Sequence, residues 1–148
     1  MATMWDATVR QTFADRSARL TADTRPGWGK MNAAAMMAHL NDSYRMCLGD
    51  LPVQSKNLFF RYTPIRQLII FALPFPKGAP TAPELIARCD GAVLEDELRA
   101  QRQLFDRIGS VKPGDTLQEH PAFGPLSHRE YGALMAKHTE HHFRQFGL

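Results

Sequence analysis

Three histidines have the residue type and the spacing that a metal site requires. His138 and His142 are four residues apart near the end of the chain, and His39 lies far earlier. Residues four apart on an α-helix lie on the same side and could reach one ion together. Neutral imidazole is a common ligand of Zn, Ni, Cu and Fe. The spacing therefore indicates a divalent metal site that His39 completes from a second segment.

Apolar neighbours predict that all three histidines face the core. At about 100° of rotation per residue, His138 and His142 share a helix face with apolar side chains. On that face lie Tyr131, Leu134, Met135 and Phe146. His39 shares its own face with Ala35, Met36, Met46 and Cys47, whereas Asn41 and Arg45 should point away. A single such histidine is more often a hydrogen-bonded core residue than a ligand, so the hypothesis requires that the three converge.

The number of histidines bears on the chemistry. A structural zinc site usually has four protein ligands, whereas a catalytic site has three and an open position. Three histidines fit the open kind. The stretch His138-Thr-Glu-His-His142 is not a zinc-protease HExxH motif, because Thr139 stands where the glutamate would be. Glu140 points roughly 160° away from His142, which disfavours a protease mechanism.

Other residues near the predicted site have two interpretations each. His141 lies at the edge of the apolar face and would be a rim or outer-shell residue. His120, in the loop before the last helix, would either donate a hydrogen bond or carry a proton at the site, or anchor its loop.

Asp42 would orient His39 or be a solvated surface carboxylate. Cys47 would be a soft ligand or, more simply, a core residue. Trp28 and the 74–83 loop would line a pocket or close the bundle.

Helical periodicity predicts the elements that carry these residues. The first helix spans 5–20. The second begins after an N-cap at Asn32 and runs to Leu48, where Gly49 stops it. The third spans 94–108. The fourth begins with a capping box, Ser127 and Glu130, and runs to about Phe146.

A long connection separates the second and third helices. It covers residues 50–93 and contains a predicted short helix at 57–73 that Pro64 starts or breaks, followed by a proline-rich, irregular loop. No segment has a β-strand pattern that would be an alternative to these helices. We therefore predict an all-α fold, a four-helix bundle with one long crossover, as a single domain over residues 1–148.

Composition and the lengths of apolar segments argue against several classes of protein. The net charge is only +3 and no run of five basic residues occurs, which disfavours a dedicated nucleic-acid binder. Basic and aromatic residues around 59–66 would suit stacking on single-stranded nucleic acid, but a buried helix has the same composition.

The apolar run Leu68–Leu73 is too short to span a membrane, and no signal peptide is evident. With two cysteines and no CxxC pair, we expect a reduced, cytoplasmic protein without membrane or nucleic-acid partners.

Two longer motifs resemble a known group. The segment Met36-Met-Ala-His39-Leu-Asn-Asp-Ser43, which follows the loop Gly27-Trp-Gly-Lys30, resembles the DinB/YfiT-like superfamily. So does Lys137-His-Thr-Glu-His-His142-Phe-Arg-Gln-Phe-Gly147. The phrase at 120–132 resembles one branch, a domain-of-unknown-function family. The resemblance implies a four-helix bundle in which His39, His138 and His142 hold a divalent metal, zinc or nickel most often.

The resemblance also implies a function. Members of the superfamily include thiol-dependent transferases, isomerases and hydrolases, and many pair as dimers, so we expect a homodimer. The leading hypothesis is a metal-dependent enzyme that activates water or a substrate thiol for thiol transfer or hydrolysis of a small molecule, with a low-molecular-weight thiol as co-substrate. The alternative is a non-catalytic, stress-associated module that binds a metal or small ligand.

Overall fold

Helices make up the regular structure of the chain. The computed structural model describes residues 1–56, 58–79 and 81–148. These residues form five α-helices: α1 (Ala7–Ser17), α2 (Ala33–Cys47), α3 (Ile65–Phe71), α4 (Leu94–Gly109) and α5 (His128–Gln145). Short 3-10 helices occur at Phe59–Arg61 and Pro83–Leu85. Within the same ranges no strand forms, and one isolated bridge joins His120 to Gly124. The prediction of an all-α fold is confirmed.

Local capping sets where the helices begin. The Asn32 side chain accepts a hydrogen bond from the amide of Ala35, which confirms the predicted N-cap of α2. Ser127 and Glu130 form the predicted capping box of α5. α1 begins two residues later than predicted, because Asp6 caps it by accepting from the amide of Thr8. The helix starts that carry the candidate site are thus local sequence properties.

The long connection is less helical than its sequence pattern indicated. The predicted helix at 57–73 starts at Asn57, which lies outside the described residues. Its observed part is a 3-10 turn followed by the shorter α3, with Pro64 as N-cap. Proline lacks the amide hydrogen that a continuous helix needs, so the helix begins only after it. Of the predicted irregular loop, Pro80 also lies outside the described residues.

α2 is buried on nearly every side, which corrects the expectation that Asn41 points away from the core. Asn41 is fully buried and its amide donates to the backbone carbonyl and the carboxylate of Glu97 on α4. The connection covers a further part of the helix, where Ala82 and Leu85 pack against Met46. Periodicity alone assumed one solvated face, but the long connection and α4 cover it.

The main core lies between the four longer helices. α4 contacts α1 and α2, and α5 contacts α1, α2 and α3. Buried side chains from these helices include Phe13, Met36, Leu40, Tyr44, Phe105, Ile108, Tyr131 and Phe143. Side chains of α2 and α5 therefore meet inside the protein, which is what a site shared by both helices requires. None of the helices in the described ranges has the length and apolarity needed to cross a membrane.

Candidate metal centre

The three histidines meet at one point between α2 and α5. The Nε2 atom of His138 lies 3.0 Å from Nε2 of His39 and 3.1 Å from Nε2 of His142. The three ring centroids are 4.9, 4.9 and 4.8 Å apart, nearly an equilateral triangle. The rings are steeply inclined to one another, at 66° to 84°. Each ring therefore directs one nitrogen towards a common centre.

Hydrogen bonds on the outer side of two rings fix which nitrogen faces inward. Nδ1 of His39 lies 2.9 Å from the carbonyl oxygen of Leu85, and Nδ1 of His142 lies 2.8 Å from Oε1 of Gln145. Both oxygens are acceptors, so each Nδ1 carries the hydrogen and donates it. The Nε2 atoms of these rings are then left with lone pairs that point at His138. This tautomer is the one that binds a metal through Nε2.

Gln145 is a site residue that sequence reasoning missed. Its Nε2 donates to the carbonyl oxygen of Trp28 at 2.7 Å, and its own carbonyl accepts from the amide of Gly27 at 2.6 Å. Gly29 has φ +81°, and a Cβ there would lie 2.7 Å from Gln145 Nε2. The loop before α2 therefore packs closely on Gln145 and holds its Oε1 against His142. The i, i+3 spacing from His142 was the signal available in the sequence.

Burial keeps the imidazoles in their neutral form. His39 is 3 % exposed and His142 is 8 % exposed, whereas His138 is partly exposed. Burial lowers the pKa of His39 below its ordinary value and lowers that of His142 to about 4. The pKa of His138 is well below its ordinary value, because of burial and then of the neighbouring histidines. At neutral pH the cluster is therefore uncharged, which is the state that ligates a cation.

The spacing of the nitrogens fits a first-row divalent ion. Ligands about 2.05 Å from a metal would be about 3.3 Å apart in a tetrahedral site and about 2.9 Å apart in an octahedral one. The two Nε2 separations from His138 fall between these values. Lone pairs that face one another at these two distances repel unless a cation or a proton lies between them. The donor set is thus suited to a divalent ion, and no carboxylate belongs to it.

Asp42 does not take the orienting role considered for it. Its carboxylate is 2 % exposed and pairs with Arg88 at 2.9 Å and Arg45 at 2.8 Å. The carbonyl of Leu85 orients His39 instead. The solvated alternative is also wrong, since α4 and the connection bury this part of α2. Asp42 instead shares Arg88 with Glu97, which joins α2, the connection and α4.

His120 anchors its loop. Its Nδ1 accepts from the amides of Ala122 and Phe123, and its backbone pairs with Gly124. Burial lowers the pKa of His120 to about 4. These contacts match the loop-anchoring interpretation.

His141 lies beside the cluster, at the edge of the site. Its ring is 5.2 Å from that of His142 and meets the rings of Trp28 and Phe75 edge-on, at 5.9 and 6.0 Å. Neighbouring helix residues diverge by about 100°, so His141 does not join the three converging nitrogens. It lies instead next to the partly exposed His138, where two loops approach the site.

Side chains that could have supplied another base or ligand are engaged elsewhere. Glu140 pairs with Arg16 and Arg144, away from the histidines. The Thr139 hydroxyl is buried between Tyr44 Oη and the carbonyl of Met135. Cys47 is fully buried in the main core, where burial raises the pKa of its thiol to about 12. Among the described residues, His39, His138 and His142 form the group with metal-binding spacing.

Two surface cavities lie apart from the cluster. One of about 550 Å³ is lined by Arg61, Tyr62, Thr63, Arg66 and Pro125. Another of about 610 Å³ lies where the N-terminus, α3 and α5 meet, on the Lys137 and Glu140 side of α5. Neither is lined by the three histidines. Of the three histidines, His138 is the one that is partly exposed.

The fold and the site together define a class: a helical protein with a candidate three-histidine metal centre between two of its helices. The chain belongs to the family described as "Protein of unknown function (DUF1569)", whose family model matches residues 9–147. A search of curated proteins and a search of solved structures each gave no match.

Proposed function

We propose that this protein binds one divalent metal ion through Nε2 of His39, His138 and His142. The observation that carries the proposal is the near-equilateral triangle of imidazoles, with two of the rings held from outside by acceptor oxygens. Zinc and nickel are the ions proposed, since both accept neutral imidazole at these spacings.

We further propose that the family is a branch of the DinB-like superfamily and that α1, α2, α4 and α5 form a four-helix bundle. The mutual packing of these helices around one core supports this assignment. The long connection between α2 and α4 would be the crossover. It contributes Leu85, whose carbonyl orients His39, so this crossover would belong to the site.

For catalysis, we propose a metal-dependent enzyme that acts on a small molecule by thiol transfer, with hydrolysis as the second choice. A bound divalent ion lowers the pKa of a coordinated water to about 7 and deprotonates a coordinated thiol. Three protein ligands leave a coordination position open, and the partly exposed His138 indicates where a substrate or thiol co-substrate would enter. His39 and His142, both buried, would exclude water from the opposite side.

One observation favours the alternative, a non-catalytic metal- or small-ligand-binding module. Glu140 and His120, which could have acted as acids or bases, are both engaged in structural contacts, and the two cavities described above lie elsewhere. The two functions differ in what happens to a bound ligand. Turnover of thiol and electrophile by the metal-loaded protein, lost after chelation, supports the enzyme. Metal-dependent ligand binding without turnover supports the module.

A homodimer is also proposed, from the family resemblance and from exposed apolar residues. Tyr62 and Leu68, beside and on α3, are 62 % and 51 % exposed. Sedimentation of the full chain would give a dimer mass if the proposal holds and a monomer mass if it does not.

Elemental analysis tests the metal proposal directly. The protein is purified without a histidine tag and its metal content is measured by mass spectrometry. We expect close to one zinc or nickel ion per chain. Protein that neither contains nor takes up a divalent ion would refute the proposed function.

A further inference from the structure

Aromatic side chains from two loops lie beside His138 and its neighbour His141. Phe75 follows α3, and its ring lies 6.3 Å from that of His138. Trp28 precedes α2 and meets His141, whose ring also contacts Phe75. We call Trp28, Phe75, Lys77 and His141 the mouth of the site. All four are at least partly exposed, so a molecule in solvent could contact them.

The rings of the mouth are held in place by contacts to α5. The Trp28 carbonyl accepts from Gln145, the residue that also orients His142. The Lys137 ammonium lies 4.9 Å from the centre of the Phe75 ring, and it donates to the carbonyls of Ile69 and Leu73 at the end of α3. The helix that supplies two of the histidines therefore also positions the aromatic residues, which reduces the entropic cost of binding a ligand between them.

A bound divalent ion would make the charge around the mouth positive. Three neutral imidazoles would leave the full charge of a divalent ion uncompensated. The carboxylate that acts on His39 is Asp42, and Arg45 and Arg88 already neutralise it. Lys77 adds a further cation, 4.5 Å from the centre of the Trp28 ring. It is exposed and forms no ion pair with a carboxylate of the described residues.

From this arrangement we propose that the mouth is a subsite for an anionic small molecule with a flat, apolar body. The body packs against Trp28 and Phe75, and the anionic group, a carboxylate, lies near the Lys77 ammonium. The inference rests on the proposed metal function, because the mouth lies beside His138, one of the three residues that would hold the ion. It goes further by giving the chemical class of the ligand and the residues that select it.

Two probes of equal size test the charge requirement. Benzoate and benzamide share a phenyl ring, but only benzoate is an anion. Each is titrated into the zinc-loaded full chain, and the indole N–H resonance of Trp28 is followed by nitrogen–proton correlation NMR. A Trp28→Phe variant assigns that resonance, because the chain has one other tryptophan, Trp5. We expect benzoate to shift the Trp28 resonance and to bind more tightly than benzamide.

Substitutions of Lys77 and Phe75 then test whether these residues bind the probes. Lys77→Gln should weaken benzoate binding by roughly two- to fivefold, the range for an exposed ion pair, and leave benzamide unchanged. Phe75→Leu should weaken both probes. The matched control is Lys112→Gln, which removes the same charge from an exposed loop residue beyond α4 and should change neither. Equal binding of the two probes, or full benzoate affinity in Lys77→Gln, would overturn the proposed subsite.

Zinc content, measured on every sample, separates this proposal from the proposed function. If the wild-type chain and Lys77→Gln both hold zinc but benzoate does not shift Trp28, the subsite is wrong and the metal site stands. If the wild-type chain takes up no divalent ion, the proposed function fails and the subsite fails with it.

Discussion

His39 and His138 are 99 residues apart in the chain, and their Nε2 atoms lie 3.0 Å apart in the fold. The proximity depends on two different helices, α2 and α5, each of which directs a histidine towards the same point. His142 completes the set one turn further along α5.

Replacing His138 by Ala should abolish metal binding, because the remaining two imidazoles cannot hold the ion at submicromolar free concentrations. The metal content of untagged protein should fall from close to one ion per chain to near zero. His141→Ala is the matched control, since it removes a neighbouring imidazole on the same helix and should leave metal content unchanged. Full metal content in His138→Ala would contradict the assignment.

Replacing Gln145 by Ala should weaken metal binding without removing a ligand. His142 would lose the acceptor that fixes its Nδ1 hydrogen, and such outer contacts affect metal affinity by about 10- to 100-fold. Competition with a chromogenic chelator measures the change. Gln103→Ala, on the exposed face of α4, should bind the ion as the wild type does. Unchanged affinity in Gln145→Ala would show that His142 does not need this hydrogen bond.

Replacing Arg88 by Leu should destabilise the fold, because Asp42 and Glu97 are both buried and share this guanidinium. Arg88 is itself 46 % exposed and Arg45 still reaches Asp42, so the expected loss is about 1–3 kcal/mol. Urea unfolding measures it. The control Arg99→Leu breaks exposed pairs with Glu95 and Asp96 and should cost under about 0.5 kcal/mol. Equal losses of unfolding free energy in the two variants would mean that the ion pairs of Arg88 stabilise the fold no more than exposed pairs do.

The metal-free protein should lose stability as the pH falls from about 6.5 towards about 4. Burial lowers the pKa of His120 and His142 to about 4 from the ordinary value of 6.5. Between these values the unfolded chain binds more protons than the folded one, so acid favours unfolding. Urea unfolding in the presence of a chelator, at pH 7 and pH 5, measures the difference.

His120→Asn tests one source of that pH dependence. The asparagine amide oxygen could still accept from the loop amides, but the side chain does not titrate. The difference in unfolding free energy between pH 7 and pH 5 should therefore be smaller in this variant than in the wild type. An unfolding midpoint that does not move with pH in the wild type would contradict the proposed burial of neutral histidines.

The sequence by itself determined the local features of this protein. The N-cap at Asn32 and the capping box at Ser127 and Glu130 are short-range signals, because the groups that bond are at most three residues apart. The i, i+4 spacing of His138 and His142 follows from helix geometry alone. A three-histidine metal hypothesis and an all-α fold could both be predicted from these patterns.

Only the tertiary structure decided what surrounds those features. The burial of Asn41 and Asp42 depends on the long connection and on α4, which cover a face that periodicity assigned to solvent. The acceptor for His39 is a backbone carbonyl, that of Leu85, which has no residue-type signature. Trp28, Phe75 and Lys77 reach the site on irregular loops, where no period relates position to direction. These contacts between distant segments are set by packing of the whole chain, and neither periodicity nor capping signals specify them.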